Sequence, residues 1–210
     1  MQALLVVDIQ KDFLPGGALA VPEGDAIIPL ANKLAKHFSL VVASQDWHPR
    51  DHTSFADNHE GHEEGETIEV DGIEQILWPV HCVQNQEGAE FADDLNTQAF
   101  DKVIQKGMDP KYDSYSAFFD NGHKVDTGLN DYLKEQGVET VYICGLAADV
   151  CVKFTALDAV KCGYDCRLIQ DATRGVNLKE GDVEKAMEEM CDAGVRIITS
   201  EDVLHAGTRS

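Results

Sequence analysis

Three residues of different chemistry stand at the ends of apolar runs. Asp8 follows Leu4-Leu5-Val6-Val7, Lys106 follows Val103-Ile104-Gln105, and Cys151 comes shortly after Val141-Tyr142-Ile143-Cys144. A carboxylate, an ammonium and a thiol in one place supply a proton acceptor, a fixed positive charge and a nucleophile. The carboxylate can take the thiol proton. The ammonium then stabilises the thiolate and, before that transfer, keeps the carboxylate ionised. Asp149 reads as a helix N-cap, which puts Cys151 in a first helical turn, where free N–H groups and the helix dipole lower a thiol pKa. Taken singly, the three also read as a turn cap, a solvated lysine and a core cysteine. Spacing alone does not show that they meet.

A second set is Asp46, His48 and His81. Residues two apart on an extended segment share a face, so Asp46 and His48 are presented together and His81 supplies a third ligand. Two imidazoles and a carboxylate suit a first-row divalent ion with open positions. His52 is a fourth ligand or an outer group. Histidines that are only hydrogen-bonded or exposed are the alternative. His59 and His62 lie in an acidic stretch and read as solvated. Phe13 and Trp78 stand near these points, as walls of a flat pocket or as core.

Short apolar runs alternate with helical patterns along the chain. Strands are expected at Ala3 to Val7, Leu40 to Ser44, Lys102 to Gln105, Thr140 to Cys144, Tyr164 to Ile169 and Val195 to Thr199. Helices are expected at Asp25 to Phe38, Asp149 to Cys162 and Glu180 to Ala193, with Pro29 tolerated near a helix start. Alternating elements with nearly continuous apolar strands predict an α/β fold, a doubly wound, mostly parallel sheet with helices on both faces. Asp8, Lys106 and Cys151 then all fall at carboxyl ends of strands or in the turn beyond, where open parallel sheets bind ligands. The stretch from Gln45 to Ala99 is long, polar and poor in elements, and it holds five of the eight histidines. It reads as a metal-bearing loop region within a single domain spanning 1–210, or as a mobile insertion.

With 210 residues the chain suits one domain with a sizeable core. The formal net charge of −21 disfavours nucleic acid and anionic membrane as partners. No run reaches the ~20 apolar residues of a membrane span. The first residues read as a strand and not a signal peptide, so a cytoplasmic location is expected. The six cysteines form no CxxC pair and are expected as free thiols.

The motifs together resemble the nicotinamidases, or pyrazinamidases, of the isochorismatase-like cysteine hydrolases, from about Ala3 to Val203. They are Val7 to Phe13 (VDIQKDF), Gly16 to Val21 (GGALAV), Ser44 to Pro49 (SQDWHP), Trp78 to Val83 (WPVHCV), Lys106-Gly107, Asp113 to Phe118 (DSYSAF) and Gly145 to Val152 (GLAADVCV). The resemblance implies a three-layer α/β/α hydrolase that converts nicotinamide to nicotinate and ammonia in NAD salvage, and that also accepts pyrazinamide. It implies Asp8 as general base and acid, Lys106 as charge partner and Cys151 as nucleophile. It implies one divalent metal, zinc first, with iron or manganese as alternatives, on Asp46, His48 and His81; His52 ligates only in some members. Phe13 and Trp78 would flank the ring. A cis bond between Leu146 and Ala147 would place Leu146 at the substrate and aim the Ala147 N–H, with that of Cys151, at the oxyanion. Ala148 departs from the threonine frequent there. The competing expectations are another small-amide or carbamoyl hydrolase of the same superfamily, and a non-catalytic metal-binding or redox-sensing protein. A homo-oligomer is left open.

Overall fold

The computed structural model describes residues 1–205. Its centre is a six-stranded sheet made of β1 (Gln2–Val7), β2 (Val41–Asp46), β5 (Lys102–Lys106), β6 (Thr140–Leu146), β7 (Asp165–Arg174) and β8 (Arg196–Ile198). The spatial order is β5-β2-β1-β6-β7-β8, and every neighbouring pair is parallel. Counted along the chain within this sheet, that is the doubly wound order 3-2-1-4-5-6. The winding reverses between β1 and β6. A crevice therefore opens beyond the carboxyl ends of those two strands.

The alternation of side chains along β1 explains the layers. Ala3, Leu5 and Val7 pack into one buried cluster, and Leu4 and Val6 into another. The first cluster includes Leu129 and Leu133 of α2 (Leu129–Glu135), Val152, Ala156 and Ala159 of α3 (Cys151–Lys161), and Met190 of α4 (Asp182–Asp192). The second includes Ala31 and Leu34 of α1 (Ile28–Ala35), with Val203 and Leu204 of α5 (Ser200–Leu204) packed against it. Both faces are covered, which is why the central strands β1 and β6 are nearly continuous apolar runs. Gly145 lets β6 lie close beside β1, because a Cβ there would overlap the Val7 backbone.

Several expectations are corrected in detail. The helix expected from Asp25 to Phe38 is α only over Ile28–Ala35, after a 3₁₀ turn at Gly24–Ile27. Pro29 sits in the first turn, where its missing N–H costs no helix bond. β7 runs on through polar Gln170 to Arg174, because Thr173 and Arg174 pair with Gly145 and Leu146 after a register shift. Asp149 is not the cap of α3. Val150 takes that place, and the Asp149 carboxylate instead accepts the N–H groups of Val176 and Asn177 at 2.9 and 2.7 Å.

The segment from 45 to 99 is more ordered than its composition suggests. It holds a hairpin of β3 (Thr67–Val70) and β4 (Ile73–Ile76), turned at Asp71-Gly72 with φ of +52° and +82°. Such a two-residue turn matches the twist of the strands it joins. Elsewhere the stretch runs as two strings bridged at His48–Val83 and Phe55–Trp78. Those bridges bring His48 and His81 to one place.

Candidate active site

Asp8 stands just past β1 with φ +47°, a conformation that Asp tolerates better than most residues. Its side chain is fully buried. Oδ1 accepts the Ser44 hydroxyl at 2.6 Å, and Oδ2 lies 2.9 Å from the Lys106 ammonium. Lys106 comes from β5, two strands away. It reaches Asp8 across the end of β2, where Asp46 is its register partner. On the way its Nζ lies 2.5 Å from Asp46 Oδ1, donates to the Ser114 carbonyl at 2.8 Å and approaches Cys151 Sγ at 3.6 Å. Burial alone would lower the Lys106 pKa, but Asp46 and Asp8 outweigh it and hold the group well above its ordinary value. The ammonium is therefore charged.

Cys151 is the first residue of α3, beyond the carboxyl end of β6. Its thiol does not follow the expected downward shift. Burial pushes it well above its ordinary value, Lys106 opposes that, and Asp8 and Asp46 add to it. Only about 7% of the residue is exposed, so desolvation dominates over the helix terminus. Burial also raises Asp8, against the pull of Lys106. A neutral thiol thus faces a carboxylate, and the nucleophile has to be generated by proton transfer between them.

The Leu146–Ala147 peptide bond is cis. The Ala147 carbonyl accepts N–H groups from Val150 and Val152 at 3.1 and 3.0 Å. Among the described residues no acceptor takes the N–H of Ala147 or of Cys151. Two donors are left for an oxygen bound at the pocket. The Leu146 side chain points elsewhere: it is fully buried in the core cluster shared with α1 and is not part of the pocket wall.

Asp46, His48 and His81 present ligand atoms within 4.8 Å of one another, all from buried residues. His48 Nδ1 is 2.8 Å from the Gly107 carbonyl, and His81 Nδ1 is 2.7 Å from the Pro79 carbonyl. A carbonyl only accepts, so each Nδ1 carries a proton, which leaves Nε2 as the atom that can ligate; for His48 burial works against the charged form, but Asp46 outweighs it and raises the pKa. Those two Nε2 atoms lie 3.5 and 4.0 Å from Asp46 Oδ2. Burial pushes His81 down to about 4, which keeps the imidazole in its ligating form. This donor set, with oriented outer partners, fits a divalent ion. His52 is arranged differently. Its Nδ1 is 2.7 Å from Ser54 Oγ, its buried Nε2 has no partner, and it groups with His48 and Asp113 instead of with Asp46.

A cavity of about 370 Å³, counted to its open mouth, joins the two sets. Cys151, Asp46, His81 and Ala147 form its polar end, and Phe13 and Trp78 are among its walls. Aromatic walls with a few polar groups at one place suit a small planar ligand. Sequence reasoning gave no role to Tyr115, another wall, whose hydroxyl accepts the indole N–H of Trp78 at 3.3 Å. Ser44, Gln10 and Gln75 were also passed over. Their signal was polarity at positions that proved to be buried.

A family model described as Isochorismatase domain matches residues 2–202. A nicotinamidase of Escherichia coli (strain K12) is 47% identical over 205 residues, covering 96% of each chain. A solved structure of an Acinetobacter baumanii nicotinamidase/pyrazinamidase superposes with a TM-score of 0.94 at 50% identity, over 96% of this chain and 97% of that one. A pyrazinamidase of Pyrococcus horikoshii, solved in complex with zinc, superposes with a TM-score of 0.77 at 42% identity, over 94% and 98% of the two chains.

Proposed function

The chain belongs to the isochorismatase family, and from that premise we propose that it hydrolyses nicotinamide to nicotinate and ammonia, and pyrazinamide likewise, through a thioester on Cys151. The observation that carries this reading is that Cys151, which lines the cavity, has the buried Lys106 ammonium 3.6 Å from its Sγ, with Asp8 paired to that ammonium at 2.9 Å. A divalent ion held by Asp46, His48 and His81, zinc before iron or manganese, would supply a Lewis-acidic anchor for the ring nitrogen. The ring lies between Phe13 and Trp78.

In the first half-reaction the Cys151 proton passes to Asp8 as Sγ bonds to the carboxamide carbon. The carbonyl oxygen takes up the negative charge against the N–H groups of Ala147 and Cys151. Loss of one such donor typically costs ~100-fold or more in rate. Asp8 gives its proton to the nitrogen, the C–N bond breaks, and ammonia leaves a thioester. In the second half, Asp8 removes a proton from water as its oxygen attacks the thioester carbon. The C–S bond breaks, the thiol is re-formed with the proton from Asp8, and the acid leaves, losing its remaining carboxyl proton to solvent as nicotinate. Lys106 keeps Asp8 ionised at the start of each half.

The reaction serves NAD salvage in the cytoplasm, and the chain acts as one domain. Among the described residues no helix is long and apolar enough to cross a membrane.

Ammonia release from nicotinamide by purified protein, with and without a chelator, tests the assignment. Turnover that falls on chelation, and that Cys151→Ala abolishes while the far-UV spectrum is kept, is the expected result. Near-normal activity in Cys151→Ala would overturn the covalent route. Turnover of a carbamoyl compound with none of nicotinamide would overturn the substrate.

A further inference from the structure

The side-chain amide of Gln10 makes a two-way contact with the backbone of Asp46. Gln10 Nε2 donates to the Asp46 carbonyl at 2.8 Å, and the Asp46 N–H donates to Gln10 Oε1 at 2.8 Å. The second Nε2 hydrogen goes to the Ala89 carbonyl at 2.9 Å. Gln10 is fully buried, and both of its amide donors and its oxygen are in use.

Sheet topology explains why a side chain stands there. The β1–β2 register ends at Val6 and Ala43, since the chain turns away at Asp8. β2 continues to Asp46, still paired on its other side with β5 up to Lys106. Beyond Ala43 the inner edge of β2 has lost its neighbouring strand. Gln10 fills that place for Asp46 with a primary amide, which has the donor and acceptor of a peptide.

We propose that Gln10 is a positioning residue for Asp46. It holds the peptide from which the carboxylate faces His48 and His81, and so sets the affinity of the site for its divalent ion. The inference rests on the reading of Asp46, His48 and His81 as metal ligands. Gln45 provides an internal comparison. Its Nε2 also donates to the Ala89 carbonyl, at 2.9 Å, and its side chain does not grip the Asp46 peptide.

The test is the zinc dissociation constant of the purified metal-free full chain, measured by competition with a chromogenic chelator. Wild type, Gln10→Glu, Gln10→Met and Gln45→Met are compared, with thermal midpoints alongside. Glutamate keeps the shape but offers no donor to either carbonyl; methionine keeps the length without polar atoms. Zinc binding about 10–100-fold weaker in the Gln10 variants, with Gln45→Met within about 2-fold of wild type, is expected. Should Gln10→Glu fail to fold, Gln10→Met carries the comparison. Wild-type affinity in a folded Gln10 variant overturns the proposal. Equal weakening in Gln45→Met also overturns it, because the Ala89 contact and not the grip on Asp46 would then be responsible. A wild-type chain that binds no zinc sinks the metal reading itself, a different failure from a wild type that binds zinc and a Gln10 variant that binds it equally well.

Discussion

Lys106 Nζ lies 2.5 Å from Asp46 Oδ1, while the other oxygen of Asp46 faces His48 and His81. The ammonium that touches the thiol is thus hydrogen-bonded to the carboxylate that faces the metal site. Its position is set by two acceptors, Asp46 and the Ser114 carbonyl, and by the ion pair with Asp8.

Removing that charge should hurt folding as well as chemistry. Lys106→Met keeps the length of the side chain but leaves two buried carboxylates without their cation. Breaking one partner of a buried ionic cluster costs about 3–5 kcal/mol, so a lower urea midpoint and loss of turnover are expected. Adding Asp8→Asn should recover part of the stability and none of the activity. A Lys106→Met protein as stable as wild type would show that the cluster does not carry the charges assigned to it.

Ser44 should tune the base. Its hydroxyl donates to Asp8 at 2.6 Å and lowers a pKa that burial has raised. Ser44→Ala removes this support, so the Asp8 pKa rises further. The reaction starts from ionised Asp8, so the acid limb of the kcat/KM profile should move to higher pH. A hydrogen bond to a charged group is worth about 1.5–3 kcal/mol, which sets the loss at the acid end on the order of 10-fold or more. The plateau should fall much less. A uniform loss at all pH values would mean that Ser44 acts on geometry alone.

Two thiols away from the site should shape stability in alkali. Burial raises Cys144 and Cys166 from 9.0 to about 12. In the folded chain both stay neutral through that window, whereas in the unfolded chain they ionise above pH about 9. Raised folded pKa values give stability that is complete below the unfolded pKa and is lost as pH rises through the folded one. Each thiol should contribute a slope of up to about 1.4 kcal/mol per pH unit above pH about 9. Urea unfolding of wild type, Cys144→Ala and Cys166→Ala at pH 7.5 and 10.5 measures this. The variants should lose less stability between the two conditions than wild type does, and equal losses in all three would contradict the burial argument.

Much of the architecture was legible because it is written in local periods. The apolar runs at Ala3 to Val7 and Thr140 to Cys144 mark strands buried on both faces; Asp8 stands where the first of them stops, and Lys106 where the shorter run Val103 to Gln105 stops. The hairpin at Asp71-Gly72 was not read, because the polarity of the surrounding stretch hid the alternation on either side of that turn. α2, only seven residues long, offered too short a period to read.

What one sequence determined by itself was which chemical groups are present, and that strands would carry Asp8 and Lys106 to one edge of a sheet. Three matters belonged to the tertiary structure alone. Lys106 reaches past β2 to grip Asp46 as well as Asp8. The Cys151 thiol is held protonated by burial, although a helix start favours the anion. Asp149 caps the backbone of Val176 and Asn177 and not the helix that its spacing suggested. The reason is common to all three. A residue's neighbours along the chain fix its local geometry, but its solvation and its charged partners come from segments tens of residues away, and those terms decide protonation and ligation.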